Sequence, residues 1–223
     1  MLCVEFGDAS SPMSIAIASG VHGDERAAPW ALMAMAEEDG FDQRFAYRIW
    51  PCINPSGYRA ATRENAEGAD VNRSFSRGGQ TPEARAILTA NRDRKFALSL
   101  DLHEDETASG FYLYEYGACD AGEEVVKTIR GAGWPIQDFT GFDLGVPFEP
   151  VHAGDGMLRM PPDFEAARLG GLSYSLSIVK HAARRALTFE TPTSFPWESR
   201  IAMHALAVRA AIAKVSAESL TKP

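Results

Sequence analysis

Cysteine is scarce in this chain. Cys3, Cys52 and Cys119 stand far apart and odd in number, with no Cys-x-x-Cys pair. That argues against a disulfide framework or a cysteine zinc site and points to reduced thiols in a cytoplasmic protein. Long hydrophobic runs are missing too. No window approaches 18 consecutive apolar residues, so no membrane span is expected. The opening "MLCVEFGDASS" has neither the basic start nor the apolar stretch of a secretory signal. Basic clusters are absent as well: 22 Lys and Arg face 30 Asp and Glu, a formal net charge of -8. An acidic surface without a basic patch attracts neither nucleic acid nor an anionic membrane. Arg92, Arg94 and Lys95 come nearest to a patch and read as a solvated helix end. There is no internal repeat, low-complexity tract or linker. With 223 residues and 45% apolar content, the chain reads as one domain, 1–223, able to bury a substantial core.

What is present alternates between strand and helix patterns. "LCVEF" and "MSIAIAS" read as strands across the turn-rich "GDASSP". Asp24 to about Glu38 reads as a helix with acidic residues in its first turn and Gly40 beyond its end. "FAYRIWPCIN" is a strand, and the segment from Asn54 to Gln80 a long loop dense in turn formers. A helix begins at Thr81-Pro82, a plausible cap followed by a first-turn proline. "KFALSLDLH" and "GFYLYEYG" are strands, "AGEEVVKTIRGAG" a helix, and residues 135–165 irregular. "LSYSLSIVKHA" reads as a helix or helix-loop, and "RALTFE" as a strand. The last helix runs from about Pro196 to Ala217, with Ile201, Ala205, Val208, Ile212 and Val215 as its buried face. The fold class is therefore α/β: a mixed, mostly parallel central sheet with helices on both faces.

Such folds collect functional groups where strands end. His22 and Glu25 follow "SIAIAS", His103 follows "ALSLDL", and Glu190 ends "RALTF". Two nearby donors plus a distant third is the usual layout of a hydrolytic zinc site with an open water position. A separate carboxylate must then move the water's proton, and Glu190 stands alone in an apolar strand end. Each piece alone is equally what an ordinary polar turn or strand cap presents.

The motifs together are more specific. "HGDE", "NPSGY", "TRENAEGADVNRSF", "LDLHED" and "LTFETP" follow one another between residues 20 and 192. In that order they resemble the M14 zinc carboxypeptidases and the related succinylglutamate desuccinylase/aspartoacylase group. The resemblance implies one zinc ion held by His22, Glu25 and His103, with Glu190 as general base and then acid. It implies that Arg63 polarises the scissile carbonyl, and that Asn72 and Arg73 hold the substrate's free carboxylate. It also implies that Asp70 accepts a hydrogen bond from the far nitrogen of His22. The partner would be a small peptide or an N-acyl amino acid. "NPSGY" and "TFETP" lean towards the carboxypeptidase branch. An N-acyl amino acid deacylase is the near alternative, and a non-catalytic metal- or peptide-binding module a more distant one that would need neither Glu190 nor Arg63.

Some residues depart from the family pattern. Carboxypeptidases usually carry a serine after the third ligand; here Glu104 and Asp105 follow His103. They could pair with a substrate amine, hold a second cation, or face water. The tyrosine that caps substrate in many carboxypeptidases has no motif here; Tyr112, Tyr114, Tyr116 and Tyr174 are available, and the alternating three read as strand packing. His152 reads as a loop residue, His181 and His204 as helix residues that face solvent or pack.

Overall fold

The computed structural model describes residues 1–76, 78–117, 120–140, 151–160 and 170–220. Among the described residues eight strands form one sheet: β1 (Val4–Gly7), β2 (Ser14–Ser19), β3 (Ala46–Trp50), β4 (Leu98–Asp105), β5 (Tyr112–Gly117), β6 (Val151–Gly154), β7 (Met157–Arg159) and β8 (Arg185–Pro192). Their order is β1-β3-β2-β4-β8-β5-β7-β6. The four central strands β3, β2, β4 and β8 are mutually parallel. β1 and β5 join them antiparallel, and the β6–β7 hairpin extends the β5 side. The class is the mixed α/β sheet expected.

Strand alternation sorts the core into two layers. Ile15 and Ile17 of β2 and Leu98, Leu100 and Leu102 of β4 pack with α1 (Ala27–Glu37), α4 (Ala121–Gly131) and α6 (Trp197–Leu220). On the other face Ala16, Ala18 and Ala186 pack with α3 (Pro82–Ala90) and α5 (Tyr174–His181). The small alanines leave room for the side chains of α3 and α5. The same alternation leaves Asp101, His103, Thr188 and Glu190 on this second face, beside Tyr112, Tyr114 and Tyr116 of β5.

Several local expectations need correction. The first helix begins at Ala27, with Arg26 at the N-cap position making no side-chain capping bond and no acidic residue in its first turn. Asp24 and Glu25 stay in the preceding loop because Glu25 is drawn between two histidines. The long loop holds a short helix, α2 (Pro55–Ala60), and one 3₁₀ turn, Val71–Arg73. Residues 151–159 are a hairpin rather than irregular chain, too short and glycine-rich to show a period. His152 lies in β6; its side chain, like Cys119, lies outside the described residues. Ile201 is only half-buried, and the buried face of α6 includes Met203, His204, Ala207 and Ala211. His181 is exposed.

His204 makes a measurable case. It is fully buried, its Nε2 lies 3.0 Å from Thr191 Oγ1, and its Nδ1 has no partner among the described residues. Burial pushes its pKa down to about 3. An unfolded histidine takes a proton near pH 6.5. The unfolded chain thus binds the extra proton first, and stability falls as pH drops from about 6.5 towards 3, by on the order of 4 kcal/mol for this residue. Urea unfolding of His204→Gln should show a flatter pH dependence across that window than the parent; parallel curves would remove His204 from the acid response.

Candidate active site

The first site loop is shaped by backbone contacts. Gly20 takes φ +59° as the chain leaves β2, a conformation that favours glycine. Gly23 lies against α2: a Cβ there would stand 2.0 Å from the carbonyl carbon of Gly57. Asn54 caps α2 by accepting the Gly57 N–H at 2.9 Å and donates through Nδ2 to the Arg63 carbonyl at 3.2 Å. The "NPSGY" motif is thus scaffold. It fixes the loop bearing His22 and Glu25 against the segment bearing Arg63.

The three candidate ligands meet. His22 and His103 point their Nδ1 atoms at opposite oxygens of Glu25; His22 bonds Oε1, and His103 lies 2.7 Å from Oε2. One donor atom from each residue lies within 4.8 Å of the others, and all three residues are buried. The imidazole centroids are 4.9 Å apart. Each far nitrogen faces a carboxylate: His22 Nε2 is 3.5 Å from Asp70 Oδ1, and His103 Nε2 is 3.3 Å from Asp101 Oδ2. Burial opposes charge on His103, but Glu25 and Asp101 outweigh it and raise its pKa well above the usual value. Burial likewise opposes charge on Glu25, yet the two histidines hold its pKa low.

This donor set fits a divalent metal. Two imidazole nitrogens and a carboxylate converge where only a proton or a cation can reconcile them, and both rings have a carboxylate behind them. Among the described residues this is the one group of three or more such side chains with metal-compatible spacing.

Around the cluster the remaining predicted residues fall into two groups. Asp70 accepts from Arg63 Nε at 3.1 Å and Nη2 at 3.0 Å, and from the Asn72 backbone N–H at 2.8 Å. Burial would raise its pKa, but the contact with His22 and the charges of Arg63 and Arg73 hold it low. Arg63 Nη1 lies 3.3 Å from His22 Nδ1, so the guanidinium sits beside the cluster. Asn72 is buried, and its Oδ1 accepts the Tyr174 N–H at 3.0 Å, which turns its NH₂ towards other partners. Arg73 donates to the Asn72 carbonyl at 3.1 Å and has no ion pair among the described residues. Gly171 packs onto Arg73: a Cβ there would stand 1.9 Å from the Arg73 carbonyl oxygen. The "GGLSY" segment therefore backs this part of the site.

Glu190 is the in-register neighbour of His103 across β4–β8 and of Tyr112 across β8–β5. Burial raises its pKa well above the ordinary carboxylate range; Glu25, Asp105 and Asp101 add to the rise, and His103 opposes it. A cation bound between the histidines would draw it back down. Asp105 is used locally. It accepts the Thr107 N–H and hydroxyl, each at 2.7 Å, and the Tyr112 hydroxyl at 2.7 Å. Glu104 points to the opposite face of β4, away from the histidines. It accepts the Ala27 N–H at 2.8 Å and Arg200 Nη1 at 2.8 Å.

Asp101 and Ser175 were not anticipated. Asp101 accepts from Ser175 Oγ at 3.2 Å, and Ser175 pairs with Thr188 Oγ1 at 2.7 Å. The signal for Asp101 was in "DLH": residues two apart on a strand share a face. Nothing in the sequence marks Ser175, whose role depends on where α5 docks.

Known proteins bear on both the family and the fold. The family model for the succinylglutamate desuccinylase/aspartoacylase catalytic domain matches residues 12–136. Carboxypeptidase SOL1 of Arabidopsis thaliana is 30% identical over 111 residues, which are 41% of this chain and 23% of that protein. The chain thus spans about a quarter of the length of that curated relative. A candidate metallopeptidase of Shewanella amazonensis superposes with a TM-score of 0.75 at 23% identity, over 96% of this chain and 81% of its own. A metallo-carboxypeptidase of Burkholderia cenocepacia gives 0.65 at 18%, over 97% and 61%. The tripeptide-bound cell shape determinant Csd4 of Helicobacter pylori gives 0.65 at 13%, over 97% and 55%. The sheet is that of the metallocarboxypeptidase-like proteins, and with residues 12–136 matched out of 223 the chain belongs to the succinylglutamate desuccinylase/aspartoacylase catalytic-domain family of hydrolases.

Proposed function

We propose that this chain is a zinc-dependent hydrolase that releases the C-terminal residue of a short peptide. The observation that carries the reading is Glu25 held between the Nδ1 atoms of His22 and His103, with Glu190 next to His103 on the adjoining strand. His22, Glu25 and His103 would hold one zinc ion, which when bound supplies Lewis acidity towards a water and a carbonyl oxygen. Glu190 takes the attacking water's proton and returns it to the leaving nitrogen. Arg63, oriented by Asp70, stabilises the negative charge that develops on the carbonyl oxygen. Asn72 and Arg73 hold the substrate's terminal carboxylate. Asp70 and Asp101 hold the rings of His22 and His103 in the tautomer that frees Nδ1. Csd4, a neighbour solved with a tripeptide, supports peptide as the substrate class.

A second reading is favoured by the matched family model: an N-acyl amino acid deacylase of the desuccinylase/aspartoacylase type. It uses the same residues on a smaller substrate. One panel separates the two. The zinc-loaded protein is assayed on short peptides with free or amidated C-termini and on N-acyl amino acids. The carboxypeptidase reading expects turnover of free-carboxylate peptides over both other sets. Fastest turnover of N-acyl amino acids gives the deacylase, and no turnover in any set rejects both. In the same panel Arg73→Ala should lose about 1.5–3 kcal/mol on free-carboxylate substrates and almost nothing on amidated ones. Equal losses on both would show that Arg73 is not the anchor.

A further inference from the structure

Glu104 stands where the family pattern has a serine, and the site described so far leaves it unused. It is a fully buried carboxylate, on the far side of β4 from the histidines. Two of its bonds reach the segment that carries Glu25, and a third reaches α6. Oε2 accepts the N–H of Ala27, the first residue of α1, two positions after Glu25. That helix has no side-chain cap of its own, so a residue 77 positions away supplies one. Oε1 accepts Arg200 Nη1 at 2.8 Å. The backbone N–H of Glu104 donates to Glu25 Oε2 at 3.2 Å. One residue therefore grips both the proposed ligand's carboxylate and the start of the helix that follows it. Arg200 is itself packed, with its guanidinium carbon 5.0 Å from the Trp197 ring centroid. It ties β4 and α1 to the first turn of α6.

We propose that Glu104 and Arg200 form a clamp that positions Glu25 for metal binding, an inference that rests on the ligand set proposed above. Glu25 stands two positions before the start of α1, so the position of that helix end sets where its carboxylate lies. The Glu104 N–H fixes one of its oxygens, and the Glu104 side chain fixes the backbone two residues on. Arg200 holds the Glu104 side chain aimed at the helix N-terminus, where an acidic group is also favoured by the helix dipole. Positioning of this kind typically moves metal affinity 10–100-fold. Glu104 and Arg200 are thus positioning residues that act through Glu25.

The test is zinc affinity by chelator competition, with the thermal midpoint of the metal-free protein measured beside it. Glu104→Gln and Arg200→Met should each weaken zinc by roughly 10–100-fold, and Arg200→Lys should stay close to the parent. With Co²⁺ in place of zinc, the ligand-field spectrum should change in Glu104→Gln and Arg200→Met, a signature that lost stability alone would not produce. Unchanged zinc affinity and Co²⁺ spectrum in Arg200→Met overturn the clamp, even if the metal-free midpoint falls. If Glu104→Gln does not fold, the Arg200→Met and Arg200→Lys pair decides alone. His103→Ala in the same assay separates the premises: parent-like zinc binding there rejects the ligand set, whereas lost binding there with parent-like Arg200→Met rejects only the clamp.

Discussion

Glu190→Gln should lower turnover by roughly 10²–10⁴-fold, the range for removing a positioned general acid–base group, while leaving bound zinc at the parent's level. The substitution is nearly isosteric, so the packing around β8 survives. It removes the one property the mechanism needs, a carboxylate that can accept a proton and give it back. Glu190 suits that task through its surroundings. It sits between His103 and Tyr112 in register, and burial with three nearby acids raises its proton affinity. It is not one of the three grouped donors, so metal content should not follow the rate. Metal analysis and steady-state kinetics on the same preparation make the check. Full turnover with full metal would take Glu190 out of the mechanism. A parallel fall in both would make it a ligand or a structural residue instead.

How much of this was legible in the sequence depended on how local the physics was. His22 and Glu25 could be paired by eye because three residues separate them, and His103 and Glu190 because parallel strands bring their carboxyl ends to one edge. Strand alternation would also have given Asp101, two residues before His103. Glu104 was different. Its neighbours in sequence said only that it was acidic and close to a ligand. Its partners, Ala27 and Arg200, lie 77 and 96 residues away, and no local period reports them. Asp105 was equally opaque, since its carboxylate is spent on Thr107 and on a tyrosine of the next strand. The first-turn acid expected of α1 was misplaced for a related reason. Glu25 is held by the two histidines ahead of the helix, and the cap comes from β4. The β6–β7 hairpin was missed because strands of four and three residues around glycine carry no readable alternation.

The largest loss is expected at the proposed ligands. His103→Ala and His22→Ala should each abolish stoichiometric zinc and, with it, hydrolysis. The scale follows from a graded series. Changing a residue that only supports a metal-bound histidine costs about 10–100-fold in affinity. Asp101→Asn and Asp70→Asn fall in that class, because they face the far nitrogens. Removing the imidazole deletes a metal bond as well as its support, so its effect must exceed theirs. A second readout is independent of activity. A ligand that binds only the folded state stabilises it, by about 4 kcal/mol at a thousandfold excess over its dissociation constant. The parent's melting midpoint should therefore rise with zinc, the aspartate variants' less at equal zinc, and the histidine variants' least. The alanine variants also leave Glu25 buried with one imidazole partner in place of two, which lowers their metal-free stability. The comparison must therefore be the zinc-dependent change in each variant, not the midpoint itself. Parent-like zinc shifts in both alanine variants would mean that the metal, if held at all, is held elsewhere. The convergence of His22, Glu25 and His103 would then be a buried hydrogen-bond network and nothing more.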